Sequence, residues 1–240
     1  LFTAFASLGQ ERSIVSKHSR NFTRYDGCEF VPTKYADGDS FLVKIGQEEF
    51  VLRLYYVDAP ESDERFPERN AEQAHYFGIT PQESVEAGKV AKEFVSAALT
   101  GKKFVVFTRW ATALGSSKLP RHYAVIEVDG RGLAELLVEN GLARLHGMSV
   151  THPDGRSASD YIASLAVLEN VARDKRIGAW AQSRPELQHP TVEEIPEPSQ
   201  MPRWLERLLF TATGAAAVVA VWVFTAVVRK RREATARQQG

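Results

Sequence analysis

Residues 37–61 read Asp37-Gly-Asp-Ser-Phe-Leu-Val-Lys-Ile-Gly-Gln-Glu-Glu-Phe-Val-Leu-Arg-Leu-Tyr-Tyr-Val-Asp-Ala-Pro-Glu61. Asp37-Gly38-Asp39 is a turn signal before the apolar run Phe41 to Ile45. A polar break with a glycine, Gly46 to Glu48, follows, and then a second apolar run, Phe50 to Val57, broken only by Arg53. Pro60 stops it, because proline cannot continue a strand ladder. The stretch therefore predicts an antiparallel β-hairpin whose ends meet. Asp39 and Asp58 become neighbours, with Glu61 close by and Arg53 projecting from the strand.

Crowded carboxylates repel each other unless a cation sits between them. An oxygen-only set without His or Cys suits a hard ion, Ca²⁺ or Mg²⁺. Phosphoryl chemistry needs a metal, a base for the attacking water and fixed positive charge on the phosphate oxygens. Asp39, Asp58, Glu61 and Arg53 together offer those parts.

Further motifs extend the pattern. They are Arg121 before a strand Tyr123 to Val128, Gly141-Leu-Ala143, and a late Gly178-Ala-Trp180. With Asp37-Gly-Asp-Ser40 and Arg53-Leu-Tyr-Tyr-Val-Asp-Ala-Pro-Glu61, their order and spacing over about residues 30 to 182 resemble the staphylococcal nuclease (thermonuclease) family. The resemblance implies an α+β, mainly β fold, an OB-fold-like five-stranded barrel with three helices packed on it. It implies Ca²⁺ ligation by Asp39, Asp58 and the backbone carbonyl of Ala59, with Asp37 supporting from behind. It implies water activation by Glu61 and phosphate contacts from Arg53 and Arg121. The family's base-stacking aromatics are poorly matched, with Leu119, His146 and Gly147 near their positions. Tyr76 and His122 are the substrate contacts that remain as candidates.

Elsewhere the chain reads as follows. Ser7 to Asp26 is a polar, basic lead-in, and Glu29 to Tyr35 a first strand. Ser62 to Ile79 is polar and irregular and is expected to be a surface loop. Thr80-Pro-Gln-Glu83 is a capping box that starts a helix, and Gly101 ends it. Phe104 to Thr108 and Tyr123 to Val128 are strands, with a loop from Trp110 to Pro120 between them. Leu133, Leu136 and Leu137 give a short helix, and Tyr161, Leu165, Leu168 and Ala172 a third that runs to about Arg176. The single cysteine, Cys28, excludes an internal disulfide and reads as a buried thiol.

The ends point to export. Leu1-Phe-Thr-Ala-Phe-Ala6 resembles the tail of a secretory signal peptide cleaved after Ala6. Leu208 to Val228 has no charged residue, and as a helix would cross a bilayer at about 1.5 Å per residue. Arg229-Lys-Arg-Arg232 follows it at once, so the tail is expected in the cytoplasm and the rest outside. The predicted layout is residues 1–26 as signal remnant and lead-in and 27–182 as nuclease-like domain. A Pro- and Glu-rich linker spans 183–203, a membrane helix 204–228 and a basic cytoplasmic tail 229–240.

The chain carries 30 Lys and Arg against 30 Asp and Glu, and residues 1–180 alone carry 22 against 24. That is not the basic footprint of a strong nonspecific nucleic-acid binder. The expectation is thus a membrane-anchored, Ca²⁺-dependent nuclease of single- or double-stranded DNA and RNA that leaves 3′-phosphate ends. Its location is the cell membrane, single-pass, with the nuclease domain on the extracytoplasmic side; no protein partner is inferable. The alternative is a catalytically weak or inactive OB-fold-like module of the cell envelope that binds nucleic acid or protein.

Overall fold

The structure, a computed structural model, describes residues 21–34, 36–113 and 120–188. The expected membrane helix, the basic tail and the signal remnant lie outside them, as does most of the linker. Among the described residues no helix is long and apolar enough to cross a membrane.

Five strands form a ring. They are β1 (Thr23–Val31), β2 (Ser40–Ile45), β3 (Glu48–Leu54), β5 (Phe104–Ala113) and β6 (Arg121–Val128). Their order is β3-β2-β1-β5-β6, and β6 also pairs with β3, so the sheet closes on itself. All pairings in the ring are antiparallel except that closing one, which is parallel. Phe41, Val43, Leu52, Leu54, Val106, Ala124 and Ile126 fill the interior, alternating with outward side chains as the strand period requires. The first strand starts earlier than the apolar pattern suggests, at Thr23, because its exposed residues pair with β5 rather than pack.

The predicted hairpin is present, with Ser40 opposite Arg53 and Phe41 opposite Leu52. Its second strand, however, does not run unbroken to Val57. Tyr56 takes a left-handed backbone at φ 70°, and Val57–Asp58 form a separate strand, β4, paired with β8 (Arg144–Leu145). The Tyr55 N–H goes to the Ala124 carbonyl and the Tyr56 N–H to the Met148 carbonyl. The chain thus switches sheets at this point, and the switch brings Asp58 back over Asp39.

The stretch 62–79 corrects the expectation of a loop. It contains a helix, α1 (Pro67–Phe77), with proline in its first turn and Gly78 closing it in the left-handed conformation. Two of its buried residues, Asn70 and Gln73, are polar, which hides its amphipathic stripe. The capping-box helix is α2 (Pro81–Leu99), with both reciprocal bonds made between Thr80 and Glu83. The two-residue strand β7 (Arg131–Gly132), paired with β6, leads into α3 (Leu133–Glu139), and α4 (Ala158–Asp174) starts on the Ser157 cap. A 3₁₀ turn, Gly178–Gln182, and a short α5 (Pro185–Gln188) follow. The described residues therefore hold five α-helices, not three. Residues 183–188, expected in the linker, rest on α1 through the bond from the Arg184 N–H to the Gly78 carbonyl.

Two of the quoted motifs meet. The Ala179 N–H donates to the Gly141 carbonyl, and a Cβ on Gly178 would come within 2.2 Å of the Asn140 carbonyl oxygen. Trp180 is fully buried there against Phe77, with ring centres 4.8 Å apart, and anchors a second small core. Cys28 is a buried free thiol, as expected, and burial pushes it up to about 11.

Candidate active site

The site lies where β2, β3 and β4 converge beneath α1. Asp39 precedes β2 and is buried; its backbone carbonyl accepts the Leu54 N–H at 2.9 Å, which fixes it against the end of β3. Asp58 ends β4 and has no exposed surface. Arg53 joins them: one terminal nitrogen lies 3.1 Å from an Asp39 oxygen and 2.7 Å from an Asp58 oxygen. A second Asp39 contact, from the other terminal nitrogen, is 3.2 Å long. The Ala59 N–H also donates to Asp39, at 3.0 Å. Asp37 stands behind, its carboxylate accepting the Ser62 hydroxyl at 2.6 Å.

Helix α1 supplies partners that the residue pattern of the hairpin does not reveal. Arg69 bridges Asp58 and Glu61. Gln73 has no exposed surface and holds three backbone or carboxylate groups at once. Its Nε2 donates to Asp58 and to the Ala59 carbonyl, each at 2.9 Å, and its Oε1 accepts the Glu61 N–H at 2.9 Å. Arg144, on β8, donates to Asp58 at 3.0 Å and to Glu72 at 2.9 Å. Arg69, Glu72, Gln73 and Tyr76 follow one another at helical spacing, so recognising α1 as a helix would have placed the first three together. Arg144 directly follows the Gly141-Leu-Ala143 motif.

The two neighbouring carboxylates are driven apart in acidity. Burial pushes Asp39 up, to about 7; Arg53 offsets part of this and the Asp58 charge adds to it. Burial acts the same way on Asp58, but Arg69, Gln73, Arg53 and Arg144 together outweigh it and hold that group below the ordinary carboxylate value. Burial, and then the Asp37 charge, also raise Glu61 despite its contact with Arg69.

The other expected residues fall as follows. Arg121 stands on β6 opposite Val51, and Arg53 opposite Tyr123. With side chains alternating along each strand, Arg121 and Arg53 share the outer face of the ring, one diagonal step apart. His122 points the other way, toward Trp110 and Phe50, with its Nδ1 3.3 Å from the Trp110 carbonyl. Tyr76 donates its hydroxyl to Glu169 at 2.6 Å and packs on Trp180. Neither is brought to the carboxylates, although Arg144 lies over the Tyr76 ring at 5.6 Å.

The donor set fits a hard cation. One Arg53 nitrogen already touches both carboxylates, and one Gln73 nitrogen touches both Asp58 and the Ala59 carbonyl. Arg53 thus links Asp39 to Asp58 Oδ1 and Gln73 links the Ala59 carbonyl to Asp58 Oδ2, so Asp58 stands between the other two oxygen donors. Among the described residues no group of three or more His, Cys, Asp or Glu side chains could hold a metal by itself, so the carbonyl and water would have to complete the shell.

A family model described as staphylococcal nuclease homologue matches residues 51–182. The match starts within β3 and covers Arg53, Asp58, Ala59, Glu61 and Arg121; Asp37 and Asp39 precede it. No curated protein matches the chain. With more than half its length matched, and with the carboxylates and arginines gathered on a closed five-stranded sheet, the chain belongs to the staphylococcal nuclease homologue family.

Proposed function

We propose that the domain is a Ca²⁺-dependent phosphodiesterase that hydrolyses DNA and RNA and leaves 3′-phosphate ends. The observation that carries this reading is the buried Asp39–Asp58 pair bridged by Arg53, with Glu61 tied beside it through Gln73 and Arg69. The family's members are nucleases, which supports the reaction class.

Asp39, Asp58 and the Ala59 carbonyl would hold Ca²⁺, whose chemistry is to draw charge from the phosphoryl oxygens. Glu61, its pKa raised toward the working range of a general base, takes a proton from the attacking water. That water's oxygen bonds to phosphorus as the bond to the 5′-oxygen breaks, and the departing 5′-oxygen is protonated from solvent. Arg53, and Arg121 one diagonal step away, set guanidinium donors against the charge that develops on the phosphoryl oxygens. Asp37 braces the loop through Ser62.

The chain is further proposed to be held in the cell membrane by residues 208–228, with the domain outside and residues 229–240 in the cytoplasm. The support is the uncharged run and the basic cluster after it.

The test is hydrolysis of single-stranded DNA and RNA by the 240-residue chain with Ca²⁺, with Mg²⁺ and with chelator, beside the Glu61→Gln variant. Cleavage that requires Ca²⁺ and falls by orders of magnitude in Glu61→Gln, with Ca²⁺ binding retained, is expected. A folded, Ca²⁺-binding chain without hydrolytic activity would instead identify a binding module.

A further inference from the structure

The outer face of the strand ring carries a row of alternating arginine and aromatic side chains leading away from the carboxylates. Arg53 on β3 lies beside Tyr123 on β6. Thr108 pairs with Ala124 on one side and with Thr23 on the other, and Thr108 points inward. One position further on, Phe22 falls next to Arg109 across β1 and β5, whereas the β5–β6 register shifts just after Thr108, and what brings Arg109 and Tyr123 together is Tyr55, on whose hydroxyl both act. The side chains confirm the row: the Arg109 guanidinium lies 4.5 Å from the centre of the Phe22 ring. Tyr123 stacks on Tyr55 at 4.9 Å and 27°, and Tyr55 meets Phe22 edge-on at 5.9 Å. The strand that bears Arg109 is two strands from the one that bears Arg53, about 10 Å at the usual strand spacing.

Three features set this row apart from ordinary surface. Arg24, Arg131 and Arg156 each pair with an acid, Asp26, Glu139 and Asp154. Arg109 pairs with none among the described residues, and its Nε is buried without a hydrogen-bond partner. The Tyr55 hydroxyl beneath is also buried and unpartnered. An anion brought against the outer edge of the Arg109 guanidinium would supply the charge-assisted acceptors that no carboxylate among the described residues supplies there. The Arg109 charge acts on that hydroxyl, partly offsetting the rise that burial imposes on it. Cations alternating with aromatic rings match phosphates alternating with unpaired bases.

We propose that Arg53, Tyr123, Arg109 and Phe22 form a track for single-stranded nucleic acid, in which Tyr123 stacks a base flanking the cleaved bond and Arg109 holds a phosphate farther along the strand. Unpaired bases are required because a duplex keeps its faces stacked inside. The track supplies local affinity that the near-neutral charge of the domain does not. It rests on the nuclease reading.

The experiment measures binding of a fluorescent single-stranded dodecathymidylate to the 240-residue Glu61→Gln chain in Ca²⁺, by anisotropy, as salt is varied. Adding Tyr123→Leu is expected to weaken binding about tenfold, within the range for loss of one stacked base. Adding Arg109→Gln is expected to make the slope of log affinity against log salt shallower by about 0.7, the value for one phosphate contact on a single strand. Arg109→Lys restores that slope. If Arg109 only braces Phe22, Arg109→Gln lowers the melting temperature and leaves the slope unchanged, which overturns the track. Unchanged affinity in both variants overturns it as well. Failure of the parent chain to bind the oligonucleotide at all overturns the nuclease reading along with the track, whereas binding that ignores Arg109 and Tyr123 leaves the nuclease reading intact.

Discussion

Gln73 donates to both the Asp58 carboxylate and the Ala59 carbonyl at 2.9 Å, so one buried side chain on α1 sets the spacing of two proposed Ca²⁺ ligands. Its carbonyl end holds the Glu61 N–H in the same stroke. Gln73→Leu would leave those groups short of partners in a buried place. Each unsatisfied group costs about 1–3 kcal/mol, so urea unfolding should show a loss of about 3 kcal/mol, with weakened Ca²⁺ binding. A midpoint unchanged from the parent would mean that water takes over the role of the amide.

The acidic pair predicts a pH dependence that a divalent ion reverses. The Asp39 carboxyl is raised in the folded chain, so the folded state keeps that proton longer than the unfolded one. Its contribution is full below the unfolded value near pH 4 and is lost as pH rises through about 7. Asp58 is depressed and has the opposite sign; its contribution is present above about pH 4 and fades in acid. In chelator the melting temperature should therefore decline from about pH 5 to pH 8, and Ca²⁺ should abolish the decline. A flat profile in chelator over that range would refute the assignment.

Arg69 contributes a positive charge to the place where Ca²⁺ is proposed to bind. One unit charge about 6 Å from a divalent ion amounts to about 1.4 kcal/mol even at the dielectric constant of water. Arg69→Ala should thus tighten Ca²⁺ binding about tenfold in calorimetric titration, while the metal-free chain becomes less stable. Weaker Ca²⁺ binding in the variant would show that Arg69 organises the ligands rather than opposing the ion.

Gly88, in the middle of α2, faces the bend that carries Glu61. A Cβ there would lie 2.2 Å from the Glu61 carbonyl oxygen and 2.6 Å from that of Pro60. Alanine is the better helix former by about 1 kcal/mol. Overpacking against backbone costs about 1–3 kcal/mol, and the contact is close enough that the upper end applies. Gly88→Ala should accordingly destabilise the chain and lower hydrolysis. A gain in stability would mean that α2 can move away from the bend at little cost.

Cys28 provides a check on the core. Its thiol is buried and pushed up to about 11, so iodoacetamide at pH 8 should modify it only after unfolding. Rapid labelling of the native chain would show that the β1–β5 seam opens.

Much of the site was legible because it lies on a short, strongly patterned hairpin. Asp39, Arg53, Asp58 and Glu61 declare themselves by turn residues, alternation and a proline stop. The break at Tyr56 did not, since two apolar tyrosines continue the strand pattern while the backbone leaves it. Helix α1 was illegible for a related reason. Its inner face sets Ala74 and Phe77 beside Arg69 and Gln73, which hydrogen-bond to the site, and Asn70, which donates to the Asp63 carbonyl, so half of it is polar. Periodicity detects greasy faces and overlooks polar ones. Pro67 and Glu68 as start signals and Gly78 as a stop signal were the cues available.

The parallel pairing of β3 with β6 has a consequence for timing. It joins the strand that bears Arg53 to the strand that bears Arg121, and it is the step that turns an open sheet into a ring. The carboxylates need a second distant partner, because β4 is held by β8 and Asp58 by Arg144. A chain still emerging from a ribosome can hold every acid and arginine of the site in its sequence without assembling them. On the proposed nuclease reading, such a chain has no assembled site with which to cleave nucleic acid until the last strands arrive.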